Sequence, residues 1–216
     1  MAIRKTSFAV GEYYHLYNRG NNKAEIFFDK EDYDHFIKLL YLCNTVKSIV
    51  VRDVGKNHYN FDRGNTLVNI GAFCLMPNHF HILVKEKEDG GISSFMKKLG
   101  TAYVMYLNTR YERSGGLFES KFKSEHVNND RHLKYLFSYI HLNPLKLVDK
   151  NWKVKGLKDK SKASNYLNSY TYSSLADYIA LVRPPATILN REVFPDYFPK
   201  PADFLKEIGD WMSLTP

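Results

Sequence analysis

The sequence predicts an α+β domain with a mostly antiparallel central sheet and helices packed on it. Three observations support this prediction. The 216 residues are enough for one compact domain with a sizeable core. Strand-like and helix-like patterns alternate in the order strand, helix, strands, helix, extended segment, helix. Two neighbouring apolar strands are joined by Met76-Pro77-Asn78, a connection short enough to predict a hairpin.

The first half of the chain contributes the first strand and the first helix. Aromatic and polar residues alternate over 13–19, which predicts a strand that ends at the turn formers Gly20-Asn21-Asn22. Apolar residues recur at helical spacing over 32–44 and predict a helix. The β-branched run at 48–53 predicts a further short strand, and the polar stretch 55–65 a loop. Helices on one face of the sheet give the simplest packing.

After the hairpin strands 66–75 and 79–84, Gly90-Gly91 interrupts the chain, and the apolar spacing then predicts a long helix to about residue 113. Residues 117–127 alternate and are basic, which predicts an extended segment or a strand. A last amphipathic helix should follow, capped by Asn129 or Asn128 and stopped by a proline at 144.

The helical and strand periodicity of the apolar residues weakens after this helix, and we place a domain boundary there. We assign residues 1–150 to the main domain and 151–216 to a basic linker and C-terminal tail packed on the same domain. Lysines dominate 146–162 and indicate a solvated or phosphate-contacting stretch. Short helices are expected at 173–182 and 201–211.

Charge and composition narrow the class of protein. Lys and Arg number 31 against 23 Asp and Glu, a formal charge of +8, which favours a polyanionic partner, nucleic acid before membrane. A basic protein without such a partner fits the charge equally well. Cys43 and Cys74 are too far apart for a cysteine zinc motif and argue against a disulfide scaffold, so we expect a cytoplasmic protein. No apolar run reaches the roughly 20 residues that span a bilayer.

The most informative stretch is the turn and strand from 76 to 84, which carries His79 and His81 at alternate positions. Alternate residues of a strand project from one face, so the two imidazoles form half of a possible metal site. Histidines with a purely structural, hydrogen-bonded role are the alternative. A third ligand should come from another element on the same side. The last helix offers Tyr139 and Asn143, four residues apart and on one polar face, although such a face can also be merely solvated.

Several motifs together resemble a known family, the HUH single-strand DNA endonucleases, and within it the REP-associated tyrosine transposases of the IS200-like group. The matching motifs are Tyr14-His15-Leu16-Tyr17-Asn18-Arg19-Gly20, Met76 to Val84, Gly116-Leu117-Phe118-Glu119-Ser120-Lys121-Phe122-Lys123, Tyr139-Ile140-His141-Leu142-Asn143-Pro144 and Tyr172-Ser173-Ser174. The resemblance covers roughly residues 10–180. The chain departs from the family pattern at Phe118 and Lys121, where the family usually has Trp and Arg. Lys121 keeps the positive charge but lacks the planar guanidinium, which can make two parallel hydrogen bonds to one phosphate.

The resemblance implies a ferredoxin-like HUH fold, and it implies a role for each site residue that matches the family motifs. His79 and His81 would be metal ligands, Asn143 a polar third ligand, and Tyr139 the nucleophile, with Tyr135 on the same face as its rival. Two imidazoles and an amide leave positions open for water and phosphate, which suits Mg²⁺ or Mn²⁺. DNA contacts are expected from Asn18, Arg19, Lys121, Lys123 and Arg131.

The implied activity is cleavage and rejoining of single-stranded DNA at hairpin (REP-like) sequences through a 5′-phosphotyrosine intermediate. The expected partner is single-stranded or hairpin DNA rather than a membrane, and the protein itself would be a monomer or a homodimer. Two alternatives stay open. The protein could bind structured DNA without catalysis, or it could be a phosphoesterase that uses a metal-bound water, in which Tyr139 would be incidental.

Overall fold

The computed structural model describes residues 7–213. Within these residues the strands are β1 (Tyr13–Arg19), β2 (Val68–Met76), β3 (His79–Glu86) and β4 (Lys123–Val127). They form one sheet in the order β2-β3-β1-β4, and each adjacent pair is antiparallel.

The longer helices alternate with these strands. The helices are α1 (Lys30–Leu42), α2 (Gly91–Arg110), α3 (Asp130–Leu142), α4 (Leu145–Val148), α5 (Trp152–Lys155), α6 (Lys160–Ser169), α7 (Leu175–Tyr178) and α8 (Pro201–Ser213). The order β1-α1-β2-β3-α2-β4, together with the strand order, is the ferredoxin-like arrangement. The predicted α+β class and the predicted antiparallel sheet are therefore confirmed. Among the helices of residues 7–213, none combines the length and the apolar character needed to cross a membrane.

The hairpin between β2 and β3 is confirmed and is tight. Strand β2 ends at Met76 and β3 begins at His79, so the loop contains only two residues. The register pairs Met76 with His79 and Cys74 with His81. Because opposite residues in an antiparallel pair point to the same face, this register fixes both histidines on one side of the sheet.

Helices cover both faces of the sheet, so the expectation of helices on one face was wrong. Phe80, Ile82 and Val84 point into a core shared with α1 and α2. Leu83 points into a second core that contains the apolar residues of α3 and α8. The reason lies in β2, which is apolar at almost every position and is buried on both sides, a pattern typical of a strand with both faces covered.

Residues 48–53 were predicted to form a strand, and this was also wrong. Residues Val51–Asp53 form a 3₁₀ turn, and Val50 is 52% exposed. The outer edge of β2 is already used by later residues: Leu75 N donates to Tyr172 O at 2.9 Å and Asn190 N donates to Ile70 O at 2.9 Å. A β-branched run without a free edge to pair with gains no ladder hydrogen bonds, which explains the turn.

Residues beyond 150 also contribute to the second core. Phe204, Ile208 and Met212 of α8 are buried against α3. Phe194 packs so closely over Gly71 that a Cβ at that glycine would lie 2.7 Å from the ring. The tail therefore covers β2 and holds α3 from the outside, and α3 is the helix that bears Tyr139.

The chain after α1 is fixed to β2 by one buried amide. Asn44 is fully buried; its Oδ1 accepts from Leu67 N and Val68 N, both at 3.0 Å, and its Nδ2 donates to Val68 O at 2.9 Å. We expect Asn44→Ala to lower the free energy of unfolding by roughly 3 kcal/mol or more, because three buried backbone groups lose their partners. Urea denaturation measures this change.

The matched control for that measurement is Asn168→Ala, at an exposed position of α6. This variant should stay within about 0.5 kcal/mol of the original protein. Equal effects of the two substitutions would contradict the role given to Asn44.

Candidate active site

The site is built on the face of the sheet that packs against α3. The register pairs His79 with Arg19 and His81 with Tyr17. Side chains from β3 and β1 therefore form one polar patch, and His15 lies on the same face two residues before Tyr17. The hydrophobic residues on the reverse side of β3 anchor this patch to the first core, so the site has a rigid base.

Asn78 in the hairpin loop sets the tautomer of His79. Asn78 Nδ2 donates to Lys23 O at 3.1 Å, which leaves its Oδ1 facing His79 Nδ1 at 2.6 Å. An amide oxygen only accepts, so His79 Nδ1 must carry the proton and Nε2 is the bare nitrogen. Burial, and then the charges of Lys146 and Arg19, lower the pKa of His79 to about 4, so the ring is neutral near pH 7.

His81 is the more deeply placed of the pair, with only 6% of its surface exposed. Its Nδ1 lies 2.9 Å from His15 Nε2, and among the described residues its buried Nε2 has no hydrogen-bond partner. The rings of His79 and His81 are 5.0 Å apart and nearly perpendicular. Burial lowers the pKa of His81 well below its usual value, and nearby positive groups add to this, so His81 is also neutral. Neutral imidazoles are the form that binds divalent metals.

Tyr139 reaches this patch because α3 is held firmly on the sheet. The helix begins at a true cap, where the Asn129 side chain accepts from His132 N at 2.8 Å. Its apolar stripe is buried in the second core, so the opposite edge presents Tyr139 to the histidines. The Tyr139 ring lies edge-on to His81 at 5.6 Å and to His15 at 5.9 Å between ring centroids. Burial raises the pKa of its hydroxyl.

Asn143 lies one turn beyond Tyr139 at the end of α3 and is almost completely buried. Its Nδ2 donates to the Tyr139 backbone oxygen at 2.8 Å, and its Oδ1 accepts from Lys146 Nζ at 3.1 Å. The amide oxygen that would ligate a metal therefore faces an ammonium group. Within residues 7–213 no cluster of three or more His, Cys, Asp and Glu side chains is arranged to hold a metal ion. A third protein ligand would thus have to be of another type, and Asn143 as that ligand stays a prediction.

A cavity of about 330 Å³ opens between the sheet and α3. Its lining is polar and aromatic and comprises His15, Tyr17, His81, Glu125, His132, Tyr135, Leu136 and Tyr139. Tyr135 also packs against Trp211 of α8 at 5.0 Å between ring centroids, whereas Tyr139 lies against the histidines. The two tyrosines therefore differ in their surroundings: Tyr139, the predicted nucleophile, contacts His81, and Tyr135, its rival, contacts Trp211.

Sequence reasoning assigned no role to His15 or Glu125. Burial lowers the pKa of His15 to about 4, so His15 is neutral, and its Nδ1 lies 4.0 Å from Glu125 Oε2. The alternating pattern of β1 does place His15 on the same face as Tyr17. Only the pairing of β1 with both β3 and β4 shows that this face also carries His81 and Glu125, and no local pattern reveals it.

The residues predicted to contact DNA differ in their exposure and in their ion pairs. Arg19 and Lys123 lie on the site face and are bridged by Glu119, with Nη2 to Oε2 at 3.0 Å and Nζ to Oε1 at 2.9 Å. Lys121 and Arg131 are exposed, the first in the segment before β4 and the second in the first turn of α3. Glu119 was named in a matching motif but was given no role, and it partly neutralises two of the predicted cations.

Asn18 is buried rather than on the surface. Its Nδ2 donates to Ser120 O at 3.1 Å, and its Oδ1 accepts from Arg19 N at 2.9 Å. The side chain thus ties the end of β1 to the segment that leads into β4. Contact between Asn18 and DNA stays a prediction.

Two lysines that follow α3 approach Tyr139. The ammonium of Lys153 lies 4.5 Å from the centre of the Tyr139 ring, and that of Lys146 lies 6.0 Å from it. Within residues 7–213 neither ammonium has a carboxylate partner within 4 Å. Uncompensated positive charge therefore gathers beside Tyr139, close enough to His81 to help lower the pKa of that ring, and it would attract an anion.

Comparison with known proteins places this arrangement in a family. A solved structure of "the REP associates tyrosine transposase bound to a REP hairpin" is similar, with 15% sequence identity and a TM-score of 0.48 over 90% of this chain and 89% of that one. No curated protein matches the chain significantly. The model of the family described as "Transposase IS200 like" matches residues 10–143, which include β1, both histidines, Tyr139 and Asn143. The chain therefore belongs to the IS200-like transposase family.

Proposed function

We propose that the protein is a metal-dependent single-stranded DNA endonuclease and transposase of the REP-associated type. It would cleave and rejoin DNA at hairpin sequences through a 5′-phosphotyrosine intermediate on Tyr139. Family membership supports the transposase class. The finer assignment is supported by one observation: Tyr139 lies edge-on against His81 and its buried neighbour His15 at the wall of a polar cavity.

The donor atoms at the site fit a divalent metal ion. His79 has a bare Nε2, and the buried Nε2 of His81 has no partner among the described residues. These two nitrogens would hold the ion, and Asn143 Oδ1 would join them if the Lys146 ammonium moved away. Mg²⁺ or Mn²⁺ bound there would polarise a phosphate and stabilise the negative charge that builds up on its oxygens.

The protein residues would perform a balanced transesterification. The Tyr139 hydroxyl oxygen attacks the scissile phosphorus and loses its proton, and a phosphotyrosine bond forms as the bond to the 3′-oxygen breaks. The departing 3′-oxygen takes up a proton and becomes a free hydroxyl. Because the phosphodiester is exchanged rather than hydrolysed, a new 3′-hydroxyl can reverse the step and join the strands.

Burial disfavours the phenolate of Tyr139, since it raises the pKa of the hydroxyl. The ammonium groups of Lys146 and Lys153 would favour the incoming phosphate, because positive charge close to the ring attracts the negative oxygens of that group. The cation cluster also suits a nucleic-acid backbone, which proteins bind chiefly through charge.

We expect Lys153→Gln to weaken binding of single-stranded hairpin DNA and to lower the slope of log affinity against log salt by about one. Fluorescence anisotropy at several salt concentrations measures both quantities. The matched control is Lys155→Gln, at the exposed end of the same short helix. The assignment of Lys153 to the phosphate would be contradicted by equal losses in the two variants.

The proposed function is tested by mixing the protein with labelled single-stranded hairpin DNA and Mn²⁺ and separating the products under denaturing conditions. A covalent protein–DNA adduct, mapped by mass spectrometry to Tyr139, supports the proposal. Cleavage without an adduct favours a metal-bound water as nucleophile. Tight binding without cleavage favours a structured-DNA-binding protein that has lost catalysis.

A further inference from the structure

The histidine pair is supported by a chain of three side chains that crosses three strands. Glu125 on β4, His15 on β1 and His81 on β3 lie next to one another on the site face. His15 Nε2 and His81 Nδ1 are 2.9 Å apart, their rings are stacked at 5.0 Å, and both residues are buried. A contact of 2.9 Å between two ring nitrogens accommodates one proton, which sits on one of the two facing nitrogens.

Glu125 biases which nitrogen carries that proton, although its contact with His15 is longer than a hydrogen bond. Its carboxylate Oε2 lies 4.0 Å from His15 Nδ1, and a carboxylate favours the proton of a neutral imidazole on the nearer nitrogen. If Nδ1 of His15 carries its proton, His15 Nε2 can only accept. The shared proton would then belong to His81 Nδ1, and His81 Nε2 would be a bare, buried lone pair.

We propose that His15 is a positioning residue, which together with Glu125 holds the His81 ring in the tautomer and orientation that direct Nε2 at a divalent metal ion. The inference rests on the metal site of the proposed function. Partners behind a metal-binding histidine commonly fix its tautomer in this way. Asn78 has the same relation to His79, so both histidines present Nε2.

The tautomer can be measured in the metal-free protein, without any substitution. Long-range ¹H–¹⁵N NMR spectra of histidine-labelled protein at pH 7.5 distinguish protonated Nδ1 from protonated Nε2. We expect His81 to be protonated at Nδ1 and His15 also at Nδ1. Protonation of His81 at Nε2 would overturn the inference whatever the enzyme's activity.

Metal affinity gives the second measurement. We expect His15→Ala to lower Mn²⁺ affinity about 10- to 100-fold in calorimetry, and His15→Gln to recover most of it, because the glutamine carbonyl can accept from His81 Nδ1. His126→Ala is the matched control, since His126 is exposed on β4 and bonds to Glu12. Circular dichroism shows whether each variant is folded.

The two proposals fail in different ways. If His81→Ala loses Mn²⁺ while His15→Ala keeps it, the positioning role is wrong and the metal site stands. If neither substitution changes Mn²⁺ binding, both the metal site and the positioning role are wrong.

Discussion

Tyr139→Phe should abolish the covalent protein–DNA adduct and lower strand cleavage at least about 10³-fold, because the substitution removes the attacking oxygen and nothing else. The phenylalanine ring can keep the edge-on contacts with His15 and His81, so the fold and the binding of hairpin DNA should be retained. Denaturing gels report the adduct, and anisotropy reports binding by the same variant.

Tyr135→Phe is the matched control on the same helix. Tyr135 lines the same cavity but packs against Trp211, so the variant should still form the adduct. An adduct that persists in Tyr139→Phe and disappears in Tyr135→Phe would show that Tyr135, one turn earlier, is the nucleophile. Cleavage that persists in both variants would mean that neither tyrosine attacks the phosphate.

His81→Ala should lower Mn²⁺ affinity by at least about 100-fold and remove metal-dependent cleavage. The effect should exceed that of His15→Ala, because His81 is the proposed metal ligand itself and His15 only positions it. The physical basis is the buried Nε2 of His81, which has no other partner among the described residues. Calorimetry measures the affinity, and cleavage assays with and without a chelator measure the dependence on metal. Removing the metal from the unmodified protein should have the same effect on cleavage as the substitution.

The control for His81→Ala is again His126→Ala, whose ring lies near Tyr14 on the opposite face of the sheet. That variant should keep both metal affinity and cleavage. Full cleavage by His81→Ala in the presence of chelator would show that the chemistry needs no metal.

The elements could be predicted from the sequence wherever local pattern and local chemistry agree. Alternation around His79 and His81, the Pro-Asn turn before them and the capped apolar stripe of α3 each specify a structure with little help from distant residues. The run at 48–53 failed for the converse reason. Its β-branched residues favour a strand, but β2 has no free edge to receive one, and that fact depends on Tyr172 and Asn190, which come far later in the chain.

The candidate site divides in the same way. The sequence by itself determined that His79 and His81 share a strand face and that Tyr139 and Asn143 share a helix face, because these relations follow from the periods of strand and helix. Only the tertiary structure decided that α3 lies over the histidines, that His15 and Glu125 stand behind His81, and that Lys146 and Lys153 approach Tyr139. These contacts depend on strand register and on packing between distant segments, and neither leaves a periodic signal in the local sequence.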